Sequence, residues 1–221
     1  MKNLSATARQ IFLTTGAALG CFALVLQCYL IILNRTASIP ETIIRFFSFF
    51  TILTNILVAL CFSFLLLKPG TKWGKFFEQP ATLTAITVYI VVVGIVYNLI
   101  LRFLWNPQGL QRIADELLHT IIPLLFIFYW FLFVSKERLK WNSILPWLIY
   151  PTIYCIYTLA RGAIVGFYPY PFIDVLLLGY YKVVINIAGL VLVFLVISLV
   201  LVAIAKLIVK GTAGLNNSAP F

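Results

Sequence analysis

His119 is the residue best suited to acid–base chemistry, because it is the only histidine in the chain. Glu116 lies three residues before it and Thr120 follows it directly. A neutral imidazole can take a proton from a hydroxyl and return it to a leaving group. A zinc site is not indicated, since no second histidine or neighbouring cysteine is present to share a metal. The residue therefore indicates a general base, and the alternative is an interfacial histidine that binds a lipid headgroup.

Two hydroxyl groups, those of Thr51 and Ser48, are predicted at a depth comparable to that of His119. Such a hydroxyl is a weak nucleophile until a base lies within hydrogen-bond reach. The chain has no G-x-S-x-G elbow, no H-E-x-x-H metalloprotease motif and no Gly-rich phosphate loop. The candidate chemistry is therefore a hydroxyl–imidazole pair, and spacing alone does not choose between the two hydroxyls.

The apolar segments that must position this pair carry polar side chains, nearly all of them toward the same side of the membrane. At 100° per residue, the polar residues of each segment fall on a single helix face. The sets are Arg45, Ser48, Thr51 and Asn55; Asn98, Arg102 and Trp105; Glu116, His119 and Thr120; Tyr150, Tyr154, Tyr157 and Arg161; and Lys182 with Asn186. Polar groups at membrane depth are costly and face the interior of a helix bundle. The pattern predicts a polar pocket open toward one leaflet, and the alternative is that each residue only joins helices through hydrogen bonds.

Composition identifies lipid as the solvent of these segments. Of 221 residues, 63% are hydrophobic and 10% are charged, whereas a soluble domain carries roughly a quarter charged residues. A spanning helix needs about 20 mostly apolar residues. Runs that qualify cover residues 10–33, 43–67, 82–104, 117–134, 144–160 and 183–208. The sequence therefore predicts an all-α polytopic bundle of six transmembrane helices over residues 1–210, followed by a polar, disordered tail over 211–221.

The distribution of charge predicts the orientation of this bundle. Ten basic and two acidic residues fall on the side of the termini, against six basic and four acidic residues on the other side. Because cytoplasmic loops are enriched in Lys and Arg, both termini are expected in the cytoplasm. The basic residues stand singly between apolar runs, which is typical of span ends and does not favour nucleic-acid binding.

Three short segments resemble the six-span androgen-induced-gene proteins, which hydrolyse fatty acid esters of hydroxy fatty acids, and their bacterial relatives. Phe49-Phe50-Thr51 is similar to a Phe-Leu-Thr motif, His119-Thr120 with Pro123 is similar to a His-Thr…Pro stretch, and residues 166–172 are similar to a Gly…Tyr-Pro-Phe segment. The resemblance implies Thr51 as the nucleophile and His119 as the base, and the family's bacterial relatives imply a bacterial plasma membrane as the location. An acidic residue that follows the family's threonine is replaced by Thr54 here.

The leading hypothesis is an intramembrane lipid ester hydrolase without cofactor or metal, whose ester enters from the outer leaflet. Glu116 is the candidate for orienting the imidazole, and Asn55 or Arg102 for stabilising the oxyanion. The rival hypothesis is a non-catalytic membrane protein that binds or transports a lipid or small solute. No inverted repeat supports alternating access, and a structural membrane subunit is the third hypothesis. The Tyr-Pro-Tyr-Pro loop at 168–171 is expected to be an interfacial anchor or a lid over the pocket.

Overall fold

The protein is an all-α polytopic membrane bundle. A computed structural model describes residues 2–217, with side chains from 6 to 211, and this part of the chain contains helices and turns without a strand. Helical segments long and apolar enough to cross a membrane are Ala6–Leu33, Phe50–Leu67, Pro80–Phe103, Gly109–Phe133, Trp141–Val165 and Val175–Gly211. The six predicted spans are therefore confirmed, although several begin earlier than their apolar runs.

The helices that position the site are numbered in chain order. They are α1 (Lys2–Leu33), α2 (Ile39–Phe46), α3 (Phe50–Leu67), α4 (Lys72–Glu78), α5 (Pro80–Leu99), α6 (Gly109–Glu116), α7 (Ile122–Phe133), α8 (Ile144–Trp147), α9 (Ile149–Val165) and α10 (Val175–Asn217). A π-helical turn, Leu117–Ile121, joins α6 to α7. Short 3₁₀ turns cover Leu101–Phe103, Trp141–Ser143 and Pro171–Ile173.

The second predicted span is broken, contrary to the continuous helix expected over 43–67. The N–H of Ser48 donates to the carbonyl of Arg45 at 2.9 Å, which closes α2 before α3 begins. The carbonyl of Ser48 accepts the hydroxyl of Tyr154 at 2.9 Å, so a side chain of α9 replaces the helical partner that this carbonyl would otherwise have. Arg45 thus lies in α2 and Ser48 in the turn after it, both outside the helix that carries Thr51 and Asn55, and the predicted common face does not exist.

The last helix also departs from the expected boundaries. It begins at Val175, and Gly179 interrupts it with φ 73°, a left-handed conformation that glycine adopts without strain. It continues through Asn217, so the prediction of a disordered tail from Gly211 is wrong as far as Asn217. Residues 218–221 lie outside the described part of the chain.

The core is packed between α1, α3, α5 and α7. Its largest fully buried side chains include Trp130, Tyr129, Phe62 and Phe126. The indole N–H of Trp130 donates to the hydroxyl of Thr84 at 2.9 Å, which satisfies a polar group that lipid could not.

Candidate functional site

The backbone around His119 is held by side-chain amides from two neighbouring helices. Pro123 has no N–H, so a carbonyl one turn earlier lacks its helical donor. Asn98 Nδ2 donates to the carbonyl of His119 at 3.2 Å, and Asn55 Nδ2 donates to the carbonyl of Leu118 at 3.1 Å. These amides satisfy the carbonyls in a π-helical turn, a distortion that is frequent at functional sites. Asn55 and Asn98 therefore position the His119 segment, and neither lines the cavity described below.

We expect Asn98→Leu to lower the thermal-unfolding temperature of the detergent-solubilised protein, because it leaves the His119 carbonyl without a donor at a cost of about 1 kcal/mol. Asn34→Leu is the control, since Asn34 is exposed and donates to the carbonyl of Leu30 at the end of α1. An unfolding temperature for Asn98→Leu as high as that of Asn34→Leu would contradict this account of the π turn.

The imidazole of His119 is held in one tautomer by Asp115. Its Nδ1 lies 2.9 Å from the backbone carbonyl of Asp115 and 3.4 Å from a carboxylate oxygen of the same residue. A carbonyl can only accept, so Nδ1 carries the proton and Nε2 has a free lone pair in the neutral ring. The ring of Tyr97 stacks on the imidazole with centroids 3.9 Å apart, and the Tyr97 hydroxyl donates to the Asp115 carboxylate.

Glu116, the residue predicted to orient the imidazole, has a different partner. Its carboxylate binds Arg102 at 2.7 Å, and the same guanidinium donates to the hydroxyl of Thr120 at 3.2 Å. The prediction was therefore wrong by one residue, because Arg102 at the end of the third span neutralises Glu116 and leaves Asp115 to the histidine. Arg102 is not among the residues that line the cavity, which removes the basis for its predicted oxyanion role.

Thr51 lies in the first turn of α3, where its N–H has no helical carbonyl to bind. That N–H donates to the hydroxyl of Tyr170 at 3.2 Å, and the Thr51 hydroxyl lies 3.3 Å from the same oxygen. Within the described residues, no hydrogen bond joins Thr51 to His119. The nucleophile candidate is therefore paired with the Tyr-Pro-Tyr-Pro loop.

Thr51 and His119 nevertheless line one cavity of about 360 Å³. Its other polar lining groups belong to Gln27, Tyr97, Gln111, Asp115 and Tyr170, while the remaining wall is apolar and includes Phe46, Phe49, Ile52, Leu101, Leu104 and Trp105. Pro169 and Pro171 contribute to the lining on either side of Tyr170. A smaller, apolar cavity of about 50 Å³ adjoins it and shares Thr51 and Tyr170. An apolar cavity with a few convergent polar groups is the usual form of a small-molecule site.

The other predicted pocket residues form separate contacts and do not line this cavity. Glu41 binds Arg45 at 2.9 Å and Arg161 at 2.7 Å. The hydrogen bond from Arg45, followed by that from Arg161, holds the pKa of Glu41 below its ordinary value. Ser48 and Tyr157 share a hydrogen bond of 3.2 Å between their hydroxyls. Asn186 donates to the carbonyl of Phe172 at 2.7 Å and so ties α10 to the loop before it.

The predicted convergence on one pocket therefore holds for Thr51, His119 and Trp105, and Tyr154 lines the smaller adjoining cavity. Arg45 lines a neighbouring space of about 280 Å³, which shares Gln27 and Gln111 with the main cavity. Gln111 donates to Gln27 at 2.9 Å between the two spaces. For the remaining residues, the alternative interpretation as hydrogen bonds between helices describes the contacts better.

Sequence reasoning missed Asp115, Tyr97 and the contact of Tyr170 with Thr51. A spacing of four residues between Asp115 and His119 was a usable signal, because residues i and i+4 are neighbours on a helix. Tyr97 had no comparable signal among the many aromatic residues of the spans. Comparison of the chain with protein-family models, with curated proteins and with solved structures gave no match.

Proposed function

We propose that this protein is an intramembrane lipid ester hydrolase with Thr51 as the nucleophile and His119 as the general base. The observation that carries the proposal is the Asp115–His119 pair facing the same cavity as a hydroxyl. The pair presents an imidazole whose Nδ1 is occupied and whose Nε2 remains free to accept a proton. A base oriented by a third group beside a nucleophile is the general arrangement of covalent acyl-transfer enzymes.

The reaction consists of two acyl transfers. The Thr51 hydroxyl passes its proton to Nε2 of His119 while its oxygen bonds to the ester carbonyl carbon, and the carbonyl π electrons move to oxygen. Collapse of this intermediate breaks the bond to the alcohol, which leaves with the proton from His119. Water then gives a proton to His119 as its oxygen bonds to the carbonyl carbon of the acyl–Thr51 ester. Collapse of this second intermediate breaks the bond to the Thr51 oxygen, which takes the proton back from His119, and releases the carboxylic acid. Substrate displaces the Tyr170 hydroxyl from Thr51 before the first step, because the two hydroxyls are paired in the free protein.

The apolar walls favour an ester with a hydrocarbon chain. Phe49, Ile52, Leu101 and Leu104 line the main cavity, and Val92, Val93 and Leu190 line the adjoining one beside Thr51. A carbonyl placed at Thr51 would thus have apolar surface on both sides, which suits a lipid that diffuses laterally from the bilayer.

Turnover by the purified protein tests the proposal. In mixed micelles with a fluorogenic long-chain acyl ester, we expect release of the fluorophore by the wild type and none above background by Thr51→Ala. Ser48→Ala is the control, because the Ser48 hydroxyl bonds to Tyr157 outside the cavity. Turnover by this variant should stay close to that of the wild type. Equal turnover by wild type and a folded Thr51→Ala would exclude Thr51 as the nucleophile.

One observation favours the rival function, a non-catalytic lipid-binding protein. The Thr51 hydroxyl binds Tyr170 and not His119 in the free protein. A binding protein would retain an ether analogue, in which the ester is replaced by a non-hydrolysable link, and would show no turnover of the ester itself. The two measurements made on one preparation separate the two functions.

We further propose that the termini face the cytoplasm and that the cavity opens toward the outer leaflet, in accordance with the excess of basic residues on the terminal side. A reporter that fluoresces only in the cytoplasm should be bright when fused after Phe221 and dark when inserted near Pro169. The reverse pattern would place the cavity on the inner side of the membrane.

A further inference from the structure

Tyr170 is held next to the nucleophile candidate by ring contacts with Phe172 and Phe49. Its backbone is extended, with φ −135° and ψ 140°, as expected for a residue that precedes a proline. The phenol ring stacks on Phe172 with centroids 5.2 Å apart and 5° between the planes. The ring of Phe49, directly before α3, packs nearly perpendicular to it, with centroids 5.7 Å apart. These contacts keep the ring close to Thr51 without involving the hydroxyl itself.

The Tyr170 hydroxyl oxygen lies beside both the backbone N–H and the hydroxyl of Thr51. It lies 3.2 Å from the backbone nitrogen of Thr51 and 3.3 Å from the Thr51 hydroxyl oxygen. When a carbonyl carbon bonds to that hydroxyl oxygen, its own oxygen comes within reach of the same N–H. Burial raises the pKa of the Tyr170 phenol, so the group keeps its proton and remains a donor at neutral pH.

We propose that Tyr170 is a catalytic residue whose hydroxyl, together with the N–H of Thr51, stabilises the oxyanion of the acyl-transfer intermediate. Without substrate, the phenol oxygen takes the place beside the N–H that the carbonyl oxygen later occupies. With substrate bound, the phenol donates its O–H to that oxygen as the carbonyl π electrons move onto it, and no proton is transferred. The inference rests on the proposed function and assigns the role that sequence reasoning gave to Asn55 or Arg102.

Replacement of Tyr170 by phenylalanine tests the role, because the ring and its stacking are kept while the hydroxyl is removed. Loss of one oxyanion donor is expected to lower kcat by about 10²-fold, with KM changed little. The matched control is Tyr150→Phe: the Tyr150 hydroxyl also lies 3.3 Å from a threonine hydroxyl of α3, that of Thr54. Tyr150 does not line the cavities that contain Thr51, so this variant should retain wild-type kcat.

Unchanged or faster turnover by Tyr170→Phe would overturn the inference, since the tyrosine would then be inert or a plug over Thr51. If wild type hydrolyses the ester and Thr51→Ala does not, such a result rejects the role of Tyr170 alone. Absence of wild-type turnover rejects the proposed function and this inference together.

Should Tyr170→Phe fail to fold, 3,5-difluorotyrosine at position 170 keeps the hydroxyl but increases its acidity. A several-fold change in kcat then supports the role, and an unchanged kcat overturns it.

Discussion

Thr51→Ala and His119→Ala are each expected to lower kcat/KM for a long-chain ester by about 10³-fold or more, because each removes one half of the nucleophile–base pair. The double variant should be hardly worse than either single variant, since members of one catalytic unit are strongly non-additive. Steady-state kinetics on the four proteins, with thermal unfolding as a check of folding, measure both effects.

Thr51→Ser refines this expectation, because it keeps a hydroxyl at the same position and should retain part of the activity. Additive losses in the double variant would show that the two residues act independently. That outcome would contradict a shared proton transfer, even if each single variant were impaired.

Asp115→Asn is expected to lower kcat by about 10²-fold, a loss typical of removing the partner that orients a histidine. The carboxylate stabilises the imidazolium that forms when His119 accepts a proton, and an amide cannot do so. The loss should be smaller than that of His119→Ala, because the backbone carbonyl of Asp115 still holds the Nδ1 proton at 2.9 Å. Tyr97→Phe, which removes a donor to the carboxylate, should lower kcat less than Asp115→Asn.

Glu116→Gln is the matched control for this experiment. It makes the same chemical change one residue away, at a carboxylate whose partner is Arg102 and not the histidine. We expect a lower unfolding temperature with kcat close to wild type. A larger loss of kcat in Glu116→Gln than in Asp115→Asn would contradict the observed pairing and restore the assignment made from sequence.

The bundle could be predicted because apolar run length is a direct consequence of membrane thickness. All six spans were found in this way. The break at Phe47–Phe49 could not be predicted, because it depends on hydroxyls of α9 that meet α2 and α3 only in the folded protein. Hydropathy records how apolar a segment is, and it contains no information on which helix supplies a substitute hydrogen bond.

The residue types of the site could be predicted from the sequence, but their contacts could be predicted only in part. The single histidine and two hydroxyls at similar depth pointed to His119 with either Thr51 or Ser48, and the family resemblance favoured Thr51. Thr51 and His119 line one cavity. The choice between Asp115 and Glu116 was not available from spacing, since both positions lie on the His119 face of an α-helix. It is decided by Arg102, which meets Glu116 only in the folded protein, and by the π turn, which distorts the helix locally.

The most direct measurement is the location of the adduct formed by a lipid-like fluorophosphonate, determined by mass spectrometry of the labelled protein. The account predicts an adduct on Thr51, absent from Thr51→Ala and formed much more slowly by His119→Ala. The peptide that contains Ser48 but not Thr51 serves as an internal comparison. Labelling at another residue, or equal labelling of a folded Thr51→Ala variant, would contradict the assignment of Thr51 as the nucleophile.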